Sequence, residues 1–284
     1  MMDQKKNQKI NKSVDYNNLK ENELSIQLSL DGFSFCILNQ KENLIIKLEQ
    51  FSFKDLSPTP EKLLNNVKKL FDREKDLQKR YPSVIISHVN QLSALVPKPL
   101  FDETRMKDYI RYSSKTYDND YIVFDEIKNH EMINVYIPFV NVNNFFLERF
   151  GSFEYKHFST VLITNLLNTY KFSEHPHMFA HIAERHFEIV IIAGNKLLYY
   201  NSFNYESKED FIYYVLFAAE QLGLNPEKFE LVFSGLISKE SDLFAIAYTY
   251  IRKVSLMENR SKFTFPNNIS EKDKRRHFTL LNQY

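Results

Sequence analysis

Four histidines in one short stretch are the residues with the clearest capacity for chemistry. His175, His177, His181 and His186, with Glu184 nearby, offer the imidazole and carboxylate groups that bind zinc. The first three share one parity in an extended segment, so their side chains point to one face of a strand, whereas His186 has the opposite parity. No second cysteine completes a usual structural zinc site. We therefore interpret these histidines as surface or partly buried side chains and expect no bound metal.

The single cysteine and one basic cluster are the next candidates. Cys36 lies between Phe35 and Ile37 in a predicted strand, without an acidic or histidine partner nearby in sequence, which indicates an inert, packed thiol. One cysteine also excludes an internal disulfide framework. The basic cluster Lys274–His277 is balanced by neighbouring acidic residues, so we interpret the charged run 271–277 as solvated surface and predict no nucleic-acid partner.

The composition is that of a nearly neutral globular protein. Its 284 residues are 43% hydrophobic, and 37 Lys and Arg balance 36 Asp and Glu, so no net field attracts nucleic acid or an anionic membrane. This length accommodates two domains. Residues 1–21 are predicted to form a flexible leader without the apolar core of a signal peptide, and no segment is apolar enough to cross a membrane. We expect a cytoplasmic protein without direct membrane insertion.

Two similar blocks of strands must position any site. Residues 24–53 alternate apolar and polar positions around a tight Asp31-Gly32 turn, which predicts a three-stranded meander. Thr59 and Pro60 then begin an amphipathic helix, and 84–86 forms a short buried strand.

The same order returns in the second half. Strands are predicted at 178–182, 187–193 and 197–205, a helix begins with an approximate capping box at Ser207 and Asp210, and a strand follows at 229–233. Five elements in one order, with similar spacing, predict a duplicated β-β-β-α-β unit.

The segment between the copies is predicted to be an inserted α/β subdomain of the first half, at about 100–150. It contains a strand near 92–96, a helix over Asp102–Ser114, a hairpin over 121–137 and a helix over 142–150. A strand near 153–155 and a helix over 157–170 return the chain to the second half. After Gly235, a helix is expected at 242–250, followed by a polar tail. The predicted division is a leader (1–21), a first half (22–172) and a second half with the tail (173–284).

Three stretches carry a resemblance to a known family. Leu-Ser-Leu-Asp-Gly-Phe-Ser-Phe at 28–35, Leu-Tyr-Tyr-Asn-Ser-Phe at 198–203 and Asp-Phe-Ile-Tyr-Tyr at 210–214 resemble a Bacteroidota family of unknown function that is assigned an actin-like ATPase fold. The duplicated unit is also similar to the wider actin, sugar-kinase and heat-shock chaperone superfamily. The resemblance implies an α/β fold of two ribonuclease H-like β-β-β-α-β units with mixed sheets, a cleft between them and an inserted subdomain.

The resemblance also implies where a nucleotide would bind. In the superfamily, two strand corners face each other across the cleft and hold ATP phosphates, the first through an Asp that orders magnesium-bound water. Asp31, Gly32 and Ser34 fit that first corner, although an Asp-Gly pair is also a common structural turn. The second corner would be Glu184 and Arg185, where the superfamily has Asp and Gly; Arg185 could pair with a phosphate instead.

The adenosine-binding turn is the third part of the implied site. It usually has paired glycines, whereas this chain has Ser234-Gly235-Leu236. The first corner thus retains the superfamily's residue types, the second corner does not, and the adenosine-binding turn retains one of its two glycines. We therefore predict a non-catalytic protein that serves as a protein-binding scaffold or assembly component, as in the superfamily's type IV pilus members. No cofactor is expected. The alternative is an ATP-binding or ATP-hydrolysing enzyme or switch that uses Asp31 with magnesium.

Overall fold

Three sheets organise the structure, a computed structural model that describes residues 19–53, 59–112, 114–173, 175–258 and 260–284. Two sheets have five strands each, and the third has three. Among the helices described, none combines the length and hydrophobicity needed to cross a bilayer.

The predicted meander, helix and fourth strand are confirmed in the first half. They are β1 (Asn22–Ser29), β2 (Gly32–Asn39), β3 (Leu44–Ser52), α1 (Pro60–Arg73) and β4 (Ser83–His88). β1 pairs antiparallel with β2 and parallel with β4. The Thr59 side chain caps α1 by accepting a hydrogen bond from the Lys62 N–H at 3.3 Å. Alternate residues of β1 (Leu24, Ile26 and Leu28) are buried in the core that also contains the apolar face of α1.

The segment after β4 forms the small antiparallel sheet. Its elements are β5 (Ser93–Pro97), α2 (Met106–Arg111), β6 (Val123–Ile127) and β7 (Met132–Tyr136), with strand order β5-β7-β6. The predicted helix over Asp102–Ser114 is wrong in its extent. Asp102 caps a short 3-10 turn at Glu103–Arg105 before α2 begins. Only Ile110 of α2 is buried, so the helix has no long apolar face to extend it.

The chain then returns to the first half through α3 (Val140–Phe150), β8 (Glu154–His157) and α4 (Phe158–Tyr170). α3 packs on α1, where Phe71 lies 5.2 Å from Phe145 and 5.7 Å from Phe146 between ring centroids. β8 pairs in parallel with β4 and completes the sheet order β3-β2-β1-β4-β8. The small sheet therefore lies within 93–136, and α3 belongs to the first core. The division into domains at residues 22, 172 and 173 stays a prediction.

The second half repeats this topology. Its elements are β9 (His177–Ile182), β10 (His186–Ala193), β11 (Lys196–Asn204), α5 (Lys208–Gln221), β12 (Glu230–Gly235), α6 (Asp242–Tyr250) and β13 (Lys253–Leu256). The sheet order is β11-β10-β9-β12-β13. The capping box of Ser207 and Asp210 is confirmed. The sequence did not indicate β13, a four-residue strand that pairs in parallel with β12 as β8 does with β4.

α4 joins the two halves. Its apolar residues Phe158, Leu162 and Leu166 belong to a core that also contains Phe179 and Val190 from the second sheet. Ile127 of the small sheet is buried in the same cluster. The halves are therefore connected by shared apolar packing as well as by the backbone.

The segment after residue 260 corrects the prediction of a polar tail. It forms α7 (Glu271–Arg276) and α8 (Phe278–Leu281). Leu280 and Leu281 are buried with Cys36 against the first sheet, and the Ser25 hydroxyl donates to the Leu280 carbonyl oxygen at 3.2 Å. The interpretation of the run 271–277 as solvated surface holds at Glu271 and Lys272, which are exposed, but it is wrong at the end of the run, where His277 is buried before α8.

Candidate functional site

The two predicted corners face each other across a cleft of about 120 Å³. Asp31, Gly32 and Ser34 lie on one wall, and Glu184 lies on the other. Asp31 is exposed, and its carboxylate accepts a hydrogen bond from the Ser29 hydroxyl at 2.5 Å. The Asp-Gly pair makes the tight turn between β1 and β2 that the sequence indicated. Whether these four residues bind a nucleotide stays a prediction.

The other three predicted site residues do not line this cleft. Arg185 is exposed, and its carbonyl oxygen accepts from the Tyr205 N–H at 3.2 Å. Ser234 is fully buried, with its hydroxyl 2.9 Å from His181 Nδ1. Gly235 has φ +82°, and a Cβ there would lie 2.2 Å from the Ile182 carbonyl oxygen. Gly235 is thus required for the close approach of β12 to the end of β9.

A half-buried histidine and a buried carboxylate form a pair at the second corner, where phosphates would have to approach the backbone. His186 Nε2 is 3.3 Å from Glu188 Oε1, and the Glu188 side chain is only 1% exposed. Burial alone lowers the pKa of His186, but the hydrogen bond and charge of Glu188, together with the charge of Asp31, raise it overall. His186 is therefore held towards its charged form by carboxylates from both walls.

Glu188 is part of a polar row that crosses the second sheet. The β-ladders place four residues side by side on adjacent strands: Ser234, His181, Glu188 and Ser202. Burial lowers the pKa of His181, which favours the neutral ring beside Ser234. The row thus places neutral and charged hydrogen-bonding groups next to one another on adjacent strands of the second sheet.

The first sheet carries a matching polar row at equivalent strand positions. Its members are Ser87, Gln27, Ser34 and Gln50, on β4, β1, β2 and β3. From the sequence alone, Ser34 and Ser234 are predicted site residues of these rows, and His181 is predicted to be a surface or partly buried side chain. The available signal was a polar residue inside an apolar strand, as with Glu188 between Phe187 and Ile189. Pairing across strands, which aligns such residues, could not be read from one strand alone.

The C-terminal helices supply a further side of the cleft. Arg276 and His277 line it, and the Arg276 Nε atom is buried without a hydrogen-bond partner among the described residues. Burial, reinforced by the charge of Arg276, lowers the pKa of His277 to about 4. His277 is therefore neutral at physiological pH, and Arg276 is the positive group on this side.

The remaining residues considered for chemistry lie apart from this site. His175 is exposed, and His177 Nε2 lies 2.7 Å from the Ser173 hydroxyl. In the described ranges, no three His, Cys, Asp or Glu side chains converge as metal ligands. Cys36 is fully buried, and its sulfur lies 3.0 Å from the Tyr284 hydroxyl. Burial raises the pKa of the Cys36 thiol to about 12, so the thiol is packed and unreactive, as expected.

Sequence and structure comparisons give consistent results. The family described as "Protein of unknown function (DUF3822)" matches residues 11–254. A Bacteroides thetaiotaomicron protein described as having an actin-like ATPase fold and unknown function is 26% identical, with a TM-score of 0.77 over 86% of this chain and 93% of that chain. A structure of the PilM–PilN type IV pilus biogenesis complex matches at 11% identity and a TM-score of 0.59, over 91% of this chain and 96% of that chain. No curated protein matches.

The family match spans most of the chain, and the two five-stranded sheets agree with the fold of the Bacteroides protein. The expected α/β architecture of two β-β-β-α-β units is thereby confirmed. This chain belongs to the DUF3822 family and has an actin-like ATPase fold.

Proposed function

We propose that the chain is a non-catalytic actin-like protein of the cytoplasm, which acts as a scaffold or assembly component by binding a protein partner. The observation that carries this proposal is the pair of half-buried His186 and buried Glu188, 3.3 Å apart, at the second corner, where a phosphate would need close backbone N–H groups. The carboxylates of Asp31, Glu184 and Glu188 line the same cleft and repel phosphate when no metal lies between them.

The size of the cleft also supports the proposal. Its volume of about 120 Å³ is below the roughly 300–1,000 Å³ that is typical of small-molecule sites. Gln91 of the first half holds the two sides of the cleft together. Its side-chain nitrogen donates to the Ser202 hydroxyl at 3.2 Å and to the Asn204 side-chain oxygen at 2.9 Å, both in β11. A bound nucleotide would require these contacts to break.

One observation favours the alternative function as an ATP-dependent switch. Asp31 is exposed at the mouth of the cleft, where its carboxylate is accessible to a hydrated magnesium ion. A single carboxylate cannot align water, metal and γ-phosphate together, so this geometry supports binding better than turnover.

We predict that the purified protein releases no phosphate from ATP above the background rate in the presence of magnesium. A phosphate-release assay should give equal rates for the wild type and Asp31→Ala, because no catalytic group is assembled around Asp31. Calorimetric titration with Mg-ATP would measure binding separately. Turnover that Asp31→Ala abolishes would contradict the scaffold proposal and support the alternative.

A surface groove on the first half is the proposed docking site for the partner. It has a volume of about 500 Å³ and is lined by one face of α3, the turn after it and β8. Leu147 is 55% exposed and Tyr121 is 57% exposed at this groove, and Phe153 and Tyr155 lie in its wall. Exposed apolar groups around a concavity are typical of protein–protein contacts.

The occupant that we propose is an extended partner segment with apolar side chains. β8 is the edge strand of the first sheet, and edge strands offer unpaired backbone groups to such segments. The PilM–PilN complex provides a precedent for a protein of this fold in an assembly with a partner.

A peptide-display selection tests this groove directly. Peptides selected on the wild-type protein should be rich in apolar residues, and Leu147→Asp should weaken their binding by roughly tenfold or more, because a charge would enter the apolar contact. Glu148→Lys, on the same helix but not lining the groove, is the control and should bind as the wild type does. Peptides that bind Leu147→Asp equally well would place the docking site elsewhere.

A further inference from the structure

Glu188 carries an oxygen atom that is buried without a partner. Its Oε1 atom lies 3.3 Å from His186 Nε2 and 3.5 Å from the Ser202 hydroxyl. Its Oε2 atom has no hydrogen-bond partner among the described residues, although the side chain is only 1% exposed and lines the cleft. Buried carboxylate oxygens are normally satisfied, so this atom indicates a missing hydrogen-bond donor in the cleft.

The charges around the cleft define which donor fits. Asp31 and Glu184 are exposed at the two corners, and Glu188 lies deeper. Arg276 and His186, whose pKa is raised by Glu188 and Asp31, oppose these three carboxylates. The acidic groups therefore outnumber the basic ones, and a positively charged donor gains more than a neutral one.

The geometry favours a small hydrogen-bond donor over a directly coordinated metal ion or a large ligand. No three His, Cys, Asp or Glu side chains converge as ligands in the described parts of the chain. The cleft volume of about 120 Å³ exceeds the roughly 10–15 Å³ that a single water molecule needs but is below the roughly 300–1,000 Å³ of small-molecule sites. An ammonium or guanidinium head group fits this space, whereas a nucleotide does not.

We propose that the cleft binds an organic cation, an amine or a guanidinium group, whose N–H donates to Glu188 Oε2. The cation belongs either to a small amine or to a Lys or Arg side chain of a protein partner, since both present the same head group. Gln27, Ser34 and Gln50 of the first-sheet row are hydrogen-bonding groups along the opposite wall. This inference goes beyond the proposed function, which assigns the cleft no ligand.

The proposal includes a dependence on pH. His186 faces Glu188 and Asp31, with His181 also near it and with Glu184 and Arg276 on the cleft walls. A second positive charge beside Glu188 favours the neutral form of His186, so binding releases a proton to the buffer. We therefore expect the affinity for the cation to rise as the pH increases through the range in which His186 loses its proton.

Calorimetric titration with two probes tests the site. Agmatine represents a small amine, and an N-acetylated, C-amidated Gly-Arg-Gly peptide represents a partner side chain. We expect at least one probe to bind, with Glu188→Gln reducing the affinity by roughly tenfold. Glu220→Gln, an exposed carboxylate on α5, is the matched control and should leave the affinity unchanged. Butylurea, which is neutral, should not bind.

The outcomes separate the two sources of the cation. Binding of agmatine alone assigns the site to a small amine, and binding of the peptide alone assigns it to a partner side chain. Absence of binding by both probes, or equal affinity of Glu188→Gln, would overturn the proposal. Should Glu188→Gln fail to fold, Asp31→Asn at the exposed mouth replaces it and should weaken binding several-fold. Leu147→Asp should bind the probes normally, which keeps this test independent of the groove.

Discussion

Replacing Gly235 by alanine is expected to destabilise the protein by about 3 kcal/mol or more. The new Cβ would lie 2.2 Å from the Ile182 carbonyl oxygen and 2.8 Å from the Ile182 nitrogen, and the residue has φ +82°. The atoms that it meets are backbone atoms of the neighbouring strand, so β9 and β12 must separate to accommodate it. Urea unfolding monitored by circular dichroism would measure the loss of free energy.

Gly223→Ala is the matched control for this substitution. Gly223 also has a positive φ, +62°, but no described atom lies within 4 Å of its Cβ position. Alanine there carries only the conformational strain, about 1 kcal/mol. If the two variants lost similar amounts of stability, the close contact at Ile182 would not be the reason for glycine at position 235.

Acidification below about pH 6.5 is expected to destabilise the protein through its buried histidines. His88 and His157 are fully buried, and burial lowers their pKa values to about 4 and about 3; the pKa of His277 is lowered to about 4. The unfolded chain binds these protons near pH 6.5, whereas the folded protein does not. The contribution of these three histidines to stability is therefore constant above this pH and falls as the pH decreases from 6.5 towards 4. Each histidine contributes up to about 1.4 kcal/mol per pH unit.

Urea midpoints measured at several pH values between neutrality and about pH 4.5 would give this slope. His88→Gln is the informative variant, because the glutamine oxygen can still accept the hydrogen bond that the Phe139 N–H donates to His88 Nδ1 at 3.3 Å. The variant should show a slope that is smaller by nearly one proton. A wild-type midpoint that stays constant over this pH range would contradict the lowered pKa values.

The strands and helices of both halves could be predicted from the sequence, but the contacts of β13 and of the C-terminal helices could not. The strands and helix starts could be predicted because alternating apolar residues and the caps at Thr59 and Ser207 depend only on neighbouring residues. In a protein that folds to one structure, such local preferences agree with the final fold. β13 has only four residues and acquires its structure from pairing with β12, so no local pattern announced it. The many charges of the run 271–277 predict solvated surface. The apolar residues that pack this end of the chain on the first sheet, Leu280 and Leu281, come after the run.

The candidate site was less predictable than the fold for a geometric reason. Asp31 and Glu184 could be located because each lies in a strand corner. Glu188 and His181 lie within strands, and only the antiparallel register of β9 and β10 places them together. Ser234 and Gly235 were placed in the site by resemblance, but the structure gives both a role in packing β12 against β9.

The packing of α8 on the first sheet has a consequence for the order in which the chain can fold. The contact between Ser25 and Leu280 joins positions 255 residues apart, and Gln283 donates to the Ile26 carbonyl oxygen across 257 residues at 3.2 Å. Closing a loop of this length costs entropy before any contact is gained, so such contacts form late. During synthesis, the first half emerges long before the segment that covers β1 and β2. A nascent chain must therefore keep that face of the sheet exposed, or shielded by a chaperone, until residues 278–284 become available.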